Sequence, residues 1–290
     1  MGTPALLTCT LWGWTGAGSV ASHLLAGSPR PPHTINPLVG ETNDSRVNDM
    51  WADPVRPEHV LEALATARSG PVREGSVGAG TGTRSFGWKG GIGTSSRVLP
   101  KSLGGWTVGV LVQSNYGGIL TMNGAPVGRE LGQYAFREEL QDDAAQRRSA
   151  GGRGHAAARD VDGGSIMIVV ATDAPLSALN LDRLARRGMM GLARTGSYAA
   201  NSSGDYVIAF STHPAVRRPR SSDAPWPGEQ VLNPEMSPLF AAVVEATEEA
   251  IYNSLLKATT VSSGRGTLEA LPLEPTLEIL RRYGALHQDR

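Results

Sequence analysis

The sequence predicts an α/β fold in a single domain covering residues 1–290. Three observations predict it. Segments rich in β-branched residues alternate with segments of helical period, and no boundary separates two units. Glycine is abundant, 36 residues beside 19 prolines, without the period of collagen, which means many tight turns and close backbone approaches. Aromatic residues make up only 6% of the chain, which suits an α/β protein with short side chains at its turns better than an all-helical bundle.

The elements follow in order. Residues 1–35 are interrupted by glycine, tryptophan and proline and carry no clear period, and Pro29, Pro31 and Pro32 mark a break. Residues 54–68 predict a helix, with Pro57 in the first turn and Val60, Leu61, Leu64 and Ala67 at helical spacing. Residues 75–97 hold the densest glycines. Residues 106–112 (WTVGVLV) predict a strand by their β-branched content. Residues 141–163 are charged and glycine-rich and predict an exposed loop. Residues 165–171 (SIMIVVA) form an unbroken apolar run that suits a strand buried on both faces. Residues 179–193 predict a basic amphipathic helix, and residues 206–212 (YVIAFST) a second buried strand. A proline-rich loop at 213–234 precedes a long helix at 238–258. On it Phe240, Val244, Ile251 and Leu255 lie near one face, with Glu248 and Glu249 away from it.

Composition narrows the function classes. The 27 basic and 27 acidic residues cancel, so charge gives no case for nucleic acid or an anionic membrane as partner. No run of 18 apolar residues occurs, which argues against a membrane span. No Lys or Arg precedes Arg30, where a signal peptide wants a basic start, so a cytoplasmic protein is expected. The lone Cys9 excludes an intrachain disulfide and a cysteine-based zinc site. Six histidines at 23, 33, 59, 155, 213 and 287 show no paired spacing, and neither a metal nor a cofactor is expected. Gly78, Gly80 and Gly82 loosely match a dinucleotide fingerprint, but the third glycine is misplaced, so close backbone packing is the better reading. No Gly-x-Ser-x-Gly elbow occurs, and His213-Pro214 reads as a turn rather than as a base.

Asn201-Ser202-Ser203-Gly204-Asp205 presents a serine at the head of a strand, with Gly and Asp allowing an unusual backbone. By composition alone it is an ordinary turn. Several segments in order say more: residues 37–44 (PLVGETND), 75–82 (GSVGAGTG), 89–97 (KGGIGTSSR), 108–117 (VGVLVQSNYG), 165–176 (SIMIVVATDAPL), 191–196 (GLARTG), 201–205 (NSSGD) with 209–212 (AFST), and 245–250 (EATEEA). Together these resemble the self-cleaving aminopeptidase family of L-aminopeptidase D-esterase/D-amidase and the β-peptidyl aminopeptidases, from about residue 37 to the C-terminus.

The resemblance implies a fold of the N-terminal-nucleophile type, a layered sandwich of two β-sheets between helices. It implies a chain that cuts itself between Ser202 and Ser203 into an α chain, 1–202, and a β chain, 203–290, with Ser203 as nucleophile. The substrates implied are short peptides, amides or esters, and the assembly an oligomer of α/β pairs. Such a serine needs no histidine, because the α-amine freed by the cut can take its proton; the reference pKa of such an amine is about 7.7–8.0. Further roles follow by position. Asn115 and Tyr116 are expected to stabilise the oxyanion and position the substrate. Glu248 or Glu249 is expected to hold the substrate amine or orient the serine, with Asn253 four residues from Glu249 on one face. Asp173 is expected to line the site. Lys89 is open between aiding the serine and lying exposed beside a glycine turn.

Departures are also visible. Family members carry several tens of residues before the point where this chain starts, so the first strands are expected to be absent. Residues 5–11 look like a family strand, but residues 12–33 do not look like its continuation. Ser202 stands where glycine is common. Two alternatives therefore stay open: a truncated, non-cleaving homologue, and an acetyl-transferring relative.

Overall fold

The computed structural model describes residues 3–29, 33–141, 164–217 and 230–286. Its strands are β1 (Ala5–Cys9), β2 (Leu38–Thr42), β3 (Arg84–Ser85), β4 (Trp88–Lys89), β5 (Gly91–Val98), β6 (Thr107–Asn115), β7 (Ser165–Thr172), β8 (Gly204–Ser211), β9 (Val261–Ser263) and β10 (Gly266–Leu268). Its α-helices are α1 (Gly13–Ala26), α2 (Pro57–Thr66), α3 (Val127–Glu130), α4 (Ala178–Arg194), α5 (Met236–Leu256) and α6 (Leu273–Arg282).

The central sheet runs β5-β6-β7-β8. β5–β6 and β6–β7 are antiparallel, and β7–β8 is parallel. A parallel neighbour needs a crossover rather than a tight turn, and α4 supplies it. Helices α4 and α5 pack on each other and on one face of this sheet. On the other face β1 and β2 pair in parallel, β2 touches β7, and α1 and α2 lie outside them. The layers are thus helices, sheet, sheet, helices, as the resemblance implies.

Burial explains the strand types. In β7, Ile166, Ile168 and Val170 are fully buried among the core residues, each contributing on the order of 1.5–3 kcal/mol. In β6 the first residues alternate between buried and half-buried, and the last four are buried. The change coincides with the second sheet. Buried Gln113 of β6 donates from Nε2 to the Thr8 carbonyl (3.0 Å) and to Thr42 Oγ1 (2.8 Å), tying β1 and β2 to the central sheet.

Glycine sets how close the helix layer comes. A Cβ on Gly93 of β5 would lie 1.9 Å from the Ala250 carbonyl oxygen of α5, and one on Gly191 of α4 would lie 2.6 Å from the Val244 carbonyl oxygen. The side chains of Arg183 and Arg187 in α4 lie over the Phe240 ring of α5, at 5.1 and 3.9 Å.

Several expectations change. The strand expected at 206–212 begins at Gly204, and among the described residues it is an edge strand rather than one buried on both faces; Tyr206 is 68% exposed. The helix expected at 54–68 spans only Pro57–Thr66 and buries Val60 alone. The long helix starts two residues before Pro238, which falls in its first turn where the missing N–H costs nothing. The unread start of the chain forms β1 and α1. Most of the loops expected at 141–163 and 213–234 lies outside the described residues.

Candidate active site

The site is assembled by strand register. Asn115 at the end of β6 pairs with Ser165 at the start of β7, and Ser165 pairs with Gly204 at the start of β8. Ser203, one residue earlier, therefore stands just outside this row, level with Gly164. The Gly164 carbonyl accepts the Gly204 N–H (2.9 Å), and a Cβ on Gly164 would meet the Asn115 carbonyl oxygen at 2.3 Å. Only glycine permits that approach.

A cavity opens beside this row. Asn115, Tyr116, Gly164 and Ser202 line it, together with Arg46 and Arg84. Asn115 Oδ1 accepts the backbone N–H of Arg84 at 2.9 Å. A backbone donor can face only the oxygen, so this bond fixes the amide orientation and leaves Nδ2 as the donor end. Tyr116 also borders the cavity, but its phenol turns into the core. It shares a hydrogen bond with Thr195 Oγ1 (3.2 Å), and its ring meets Phe86 edge-on at 5.0 Å. Burial pushes that phenol well above its ordinary pKa, so it stays protonated.

Ser203 sits at the end of a tight turn. Its backbone N–H donates to the Ala200 carbonyl (2.8 Å), and its hydroxyl donates to Asp205 Oδ1 (2.7 Å). Just upstream, Ala199 holds a φ of 49°, a left-handed conformation that a residue with a Cβ adopts only under constraint. Ser202 is not among the positive-φ residues, so this position does not need the glycine common in the family. Asp205 is a regular strand residue rather than a turn former. Its Oδ2 is buried without a partner, and burial pushes its carboxyl above the usual range.

Lys89 is neither exposed nor aimed at the serine. It is fully buried. Its Nζ donates to the carbonyls of Gly80 (2.6 Å), Thr83 (3.1 Å) and Gly90 (2.6 Å). Burial pushes its pKa down to about 7, with Asp44 opposing. Three acceptors match the three donors of an ammonium, so we read Lys89 as charged at neutral pH, clamping the glycine segment that flanks the cavity. Asp44 reaches that segment too: a Cβ on Gly82 would lie 2.7 Å from Asp44 Cβ.

The remaining expected residues lie elsewhere. Glu248 bonds Arg194 Nε (2.8 Å) and accepts from the Tyr252 hydroxyl (2.7 Å); its side chain is only 12% exposed, not turned to solvent as the helical period suggests. Glu249 accepts from Ser95 Oγ (2.7 Å) and Arg97 (2.6 Å). Asn253 Nδ2 donates to the Thr94 carbonyl (2.8 Å), so Glu249 and Asn253 do share the face that meets β5. Asp173 accepts the Thr107 N–H (2.6 Å) beyond the far end of β7. His213 follows the far end of β8, caps a short turn through the Ala215 N–H (3.1 Å) and packs edge-on against Trp106. A strand of eight residues puts them on the order of 25 Å from Ser203. Asp205, Gly164 and Arg84 were not singled out from the sequence as site residues. Asp205 had a signal: residues i and i+2 of a strand share a face, so Ser203 and Asp205 must. Among the described residues no group of three His, Cys, Asp or Glu is placed to hold a metal, and no helix is long and apolar enough to cross a membrane.

Known proteins resemble this chain in sequence and fold. The chain is 41% identical over 266 residues to the β-peptidyl aminopeptidase BapA of Sphingosinicella microcystinivorans, which takes in 90% of this chain and 65% of that protein. It therefore spans about two thirds of that curated relative. A β-aminopeptidase structure from Burkholderia sp. superposes with a TM-score of 0.79 at 35% identity, covering 98% of this chain and 75% of that one. The L-aminopeptidase D-Ala-esterase/amidase of Ochrobactrum anthropi, described as a variant of the Ntn hydrolase fold, gives 0.80 at 33% identity, covering 97% and 74%. The likeness begins earlier than the matching segments suggest, since residues 1–268 match the family profile, strand β1 and helix α1 included. On the match over those residues the chain belongs to peptidase family S58.

Proposed function

We propose that this chain is a self-processing serine aminopeptidase or amidase. It would cut itself between Ser202 and Ser203, then release N-terminal residues from short peptides, amides or esters. The observation that carries the reading is Ser203 itself: a serine at the head of β8, after a constrained turn, next to a cavity lined by Asn115 and Ser202, in a chain of family S58. The family is one of peptidases, which favours hydrolysis over acetyl transfer.

Before the cut, the Ser203 nitrogen is an amide and cannot serve as a base. After it, the same nitrogen is an amine, with an ordinary pKa of about 7.7–8.0, within reach of its own hydroxyl. The hydroxyl attacks the substrate carbonyl, and the amine takes the proton and returns it to the leaving group. Asn115 Nδ2 faces the developing oxyanion. Water then hydrolyses the acyl-serine, with the amine again as base. Tyr116 supports Asn115 through the core rather than by touching substrate. Glu248 and Glu249 are engaged by Arg194, Tyr252, Ser95 and Arg97, so we assign them to holding α5 on its neighbours rather than to the substrate amine.

The names of the relatives point to β-amino and L-amino acid substrates. Release of p-nitroaniline from β-alanyl and L-alanyl p-nitroanilides tests both. Ser203→Ala is expected to leave one intact chain and to lower either activity by at least about 1,000-fold. A wild-type chain that stays whole and releases nothing supports the non-cleaving alternative instead. The assembly proposed is an oligomer of α/β pairs, checked by sedimentation. The compartment proposed is the cytoplasm, checked by fractionation.

A further inference from the structure

The mature mechanism uses an amine that the uncut chain does not have, so the first cut needs a different proton acceptor. We propose that Asp205 is that acceptor: its carboxylate takes the proton of Ser203 Oγ as this oxygen attacks the carbonyl carbon of Ser202. The inference rests on the reading of Ser203 as the residue exposed by the cut.

Geometry carries it. Ser203 and Asp205 are two apart at the start of β8, on one face, and the hydroxyl already donates to Asp205 Oδ1 at 2.7 Å. Among the described residues that the sequence put forward for the site, the other candidate bases are occupied or distant. The Ser203 nitrogen is an amide donating to Ala200. Lys89 is committed to three carbonyls. Glu248 and Glu249 are held by cations, and His213 lies at the other end of the strand. Facing the carboxylate are the Ser203 hydroxyl on β8, the Ile166 amide on β7, which favours the charged form, and the Tyr116 phenol after β6. Burial opposes the charge more strongly than these partners favour it, and a desolvated carboxylate is a stronger base than one in water.

The step balances. The Oγ–C bond to Ser202 forms while the hydroxyl proton passes to Asp205 Oδ1. The adduct collapses by breaking the Ser202 C–Ser203 N bond, and the nitrogen takes the proton back from Asp205. This leaves an ester between the Ser202 acyl group and Ser203 Oγ, beside a free amine. Water hydrolyses that ester, giving the Ser202 carboxyl group and the Ser203 hydroxyl. Asp205 ends as it began, and water is the only co-reactant.

The test follows the full-length chain from cell-free translation, chased from about pH 8 to about pH 4, with conversion read on denaturing gels. Asp205→Asn is expected to slow the cut by about 100-fold or more, the usual scale of a positioned base, and Asp205→Glu to recover part of it. The wild-type rate is expected to fall as pH drops through the raised pKa of Asp205, and Asp205→Asn to lack that fall. An Asp205→Asn chain that cuts within about threefold of wild type, or faster, overturns the inference; faster cutting would mean that the carboxylate restrains the hydroxyl. Where Asp205→Asn shows no cooperative unfolding transition, the wild-type profile decides, and a rate unchanged down to about pH 4 overturns it. A wild-type chain that never cuts overturns this inference and the proposed function together, whereas a wild type that cuts beside an equally fast variant overturns this inference alone.

Discussion

Lys89 shows what a single residue can hide. Its neighbours, Gly87, Gly90 and Gly91, suggest a lysine at the edge of an open turn. The fold instead wraps three carbonyls around its ammonium. Nothing local announces this, because the acceptors come from a segment folded back on itself. Removing the ammonium would strand those carbonyls, so Lys89→Met is expected to cost at least about 3 kcal/mol in urea unfolding. The Ser203→Ala background keeps the sample uncut for that measurement. A loss within about 0.5 kcal/mol would mean that the segment does not depend on the clamp. Ser203 and Asp205 are the opposite case. Two polar residues at strand spacing must face each other, a signal present in the sequence but not used, whereas Ser203 was singled out by the ordered matches around it. Asn115 was legible in the same way, but its amide orientation depends on the Arg84 backbone, 31 positions away.

At the scale of elements, glycine decides the contact between helix α5 and strand β5. Gly78, Gly80 and Gly82 were readable as close backbone packing, which forms at Gly80 and Gly82 but not at Gly78, and Gly93 packs in the same way. Gly93→Ala is expected to destabilise the chain by about 2–3 kcal/mol or more, since the Ala250 carbonyl cannot retreat without moving the helix. Gly109→Ala, in β6 with open space around it, is expected to stay within about 0.5 kcal/mol. Equal effects at the two positions in thermal melts would contradict this account of the layer spacing. The β-branched runs in β6 and β7 were legible because each strand buries at least one whole face, and β7 most of both. The first helix was not: Gly13, Gly16 and Gly18 are poor helix formers, and its packing against β1 and β2, not its own propensity, holds it. The edge position of β8 was equally hidden, because its apolar run gives no sign of how many neighbours it has.

For the molecule as a whole, the site exists only because three strand ends lie side by side. Asn115, Gly164 and Ser203 belong to separate stretches of chain, and the register of β6, β7 and β8 brings them together. That register is why the expected residues divide as they do: those at the Ser203 end converge, while Asp173 and His213 are carried to the other end. The same topology predicts how the cut protein behaves. The piece 203–290 contains β8 and α5, both packed on the central sheet. The two pieces are therefore expected to elute together from a native sizing column and to part only on denaturation; separate native peaks would show that the layers do not hold across the cut. The account turns on whether Ser203 becomes a chain terminus. N-terminal sequencing of the purified protein is expected to read a second start, Ser-Gly-Asp-Tyr-Val-Ile from Ser203, in amounts equal to the first. A single start, in protein that still hydrolyses an aminoacyl p-nitroanilide, would contradict the mechanism at its centre.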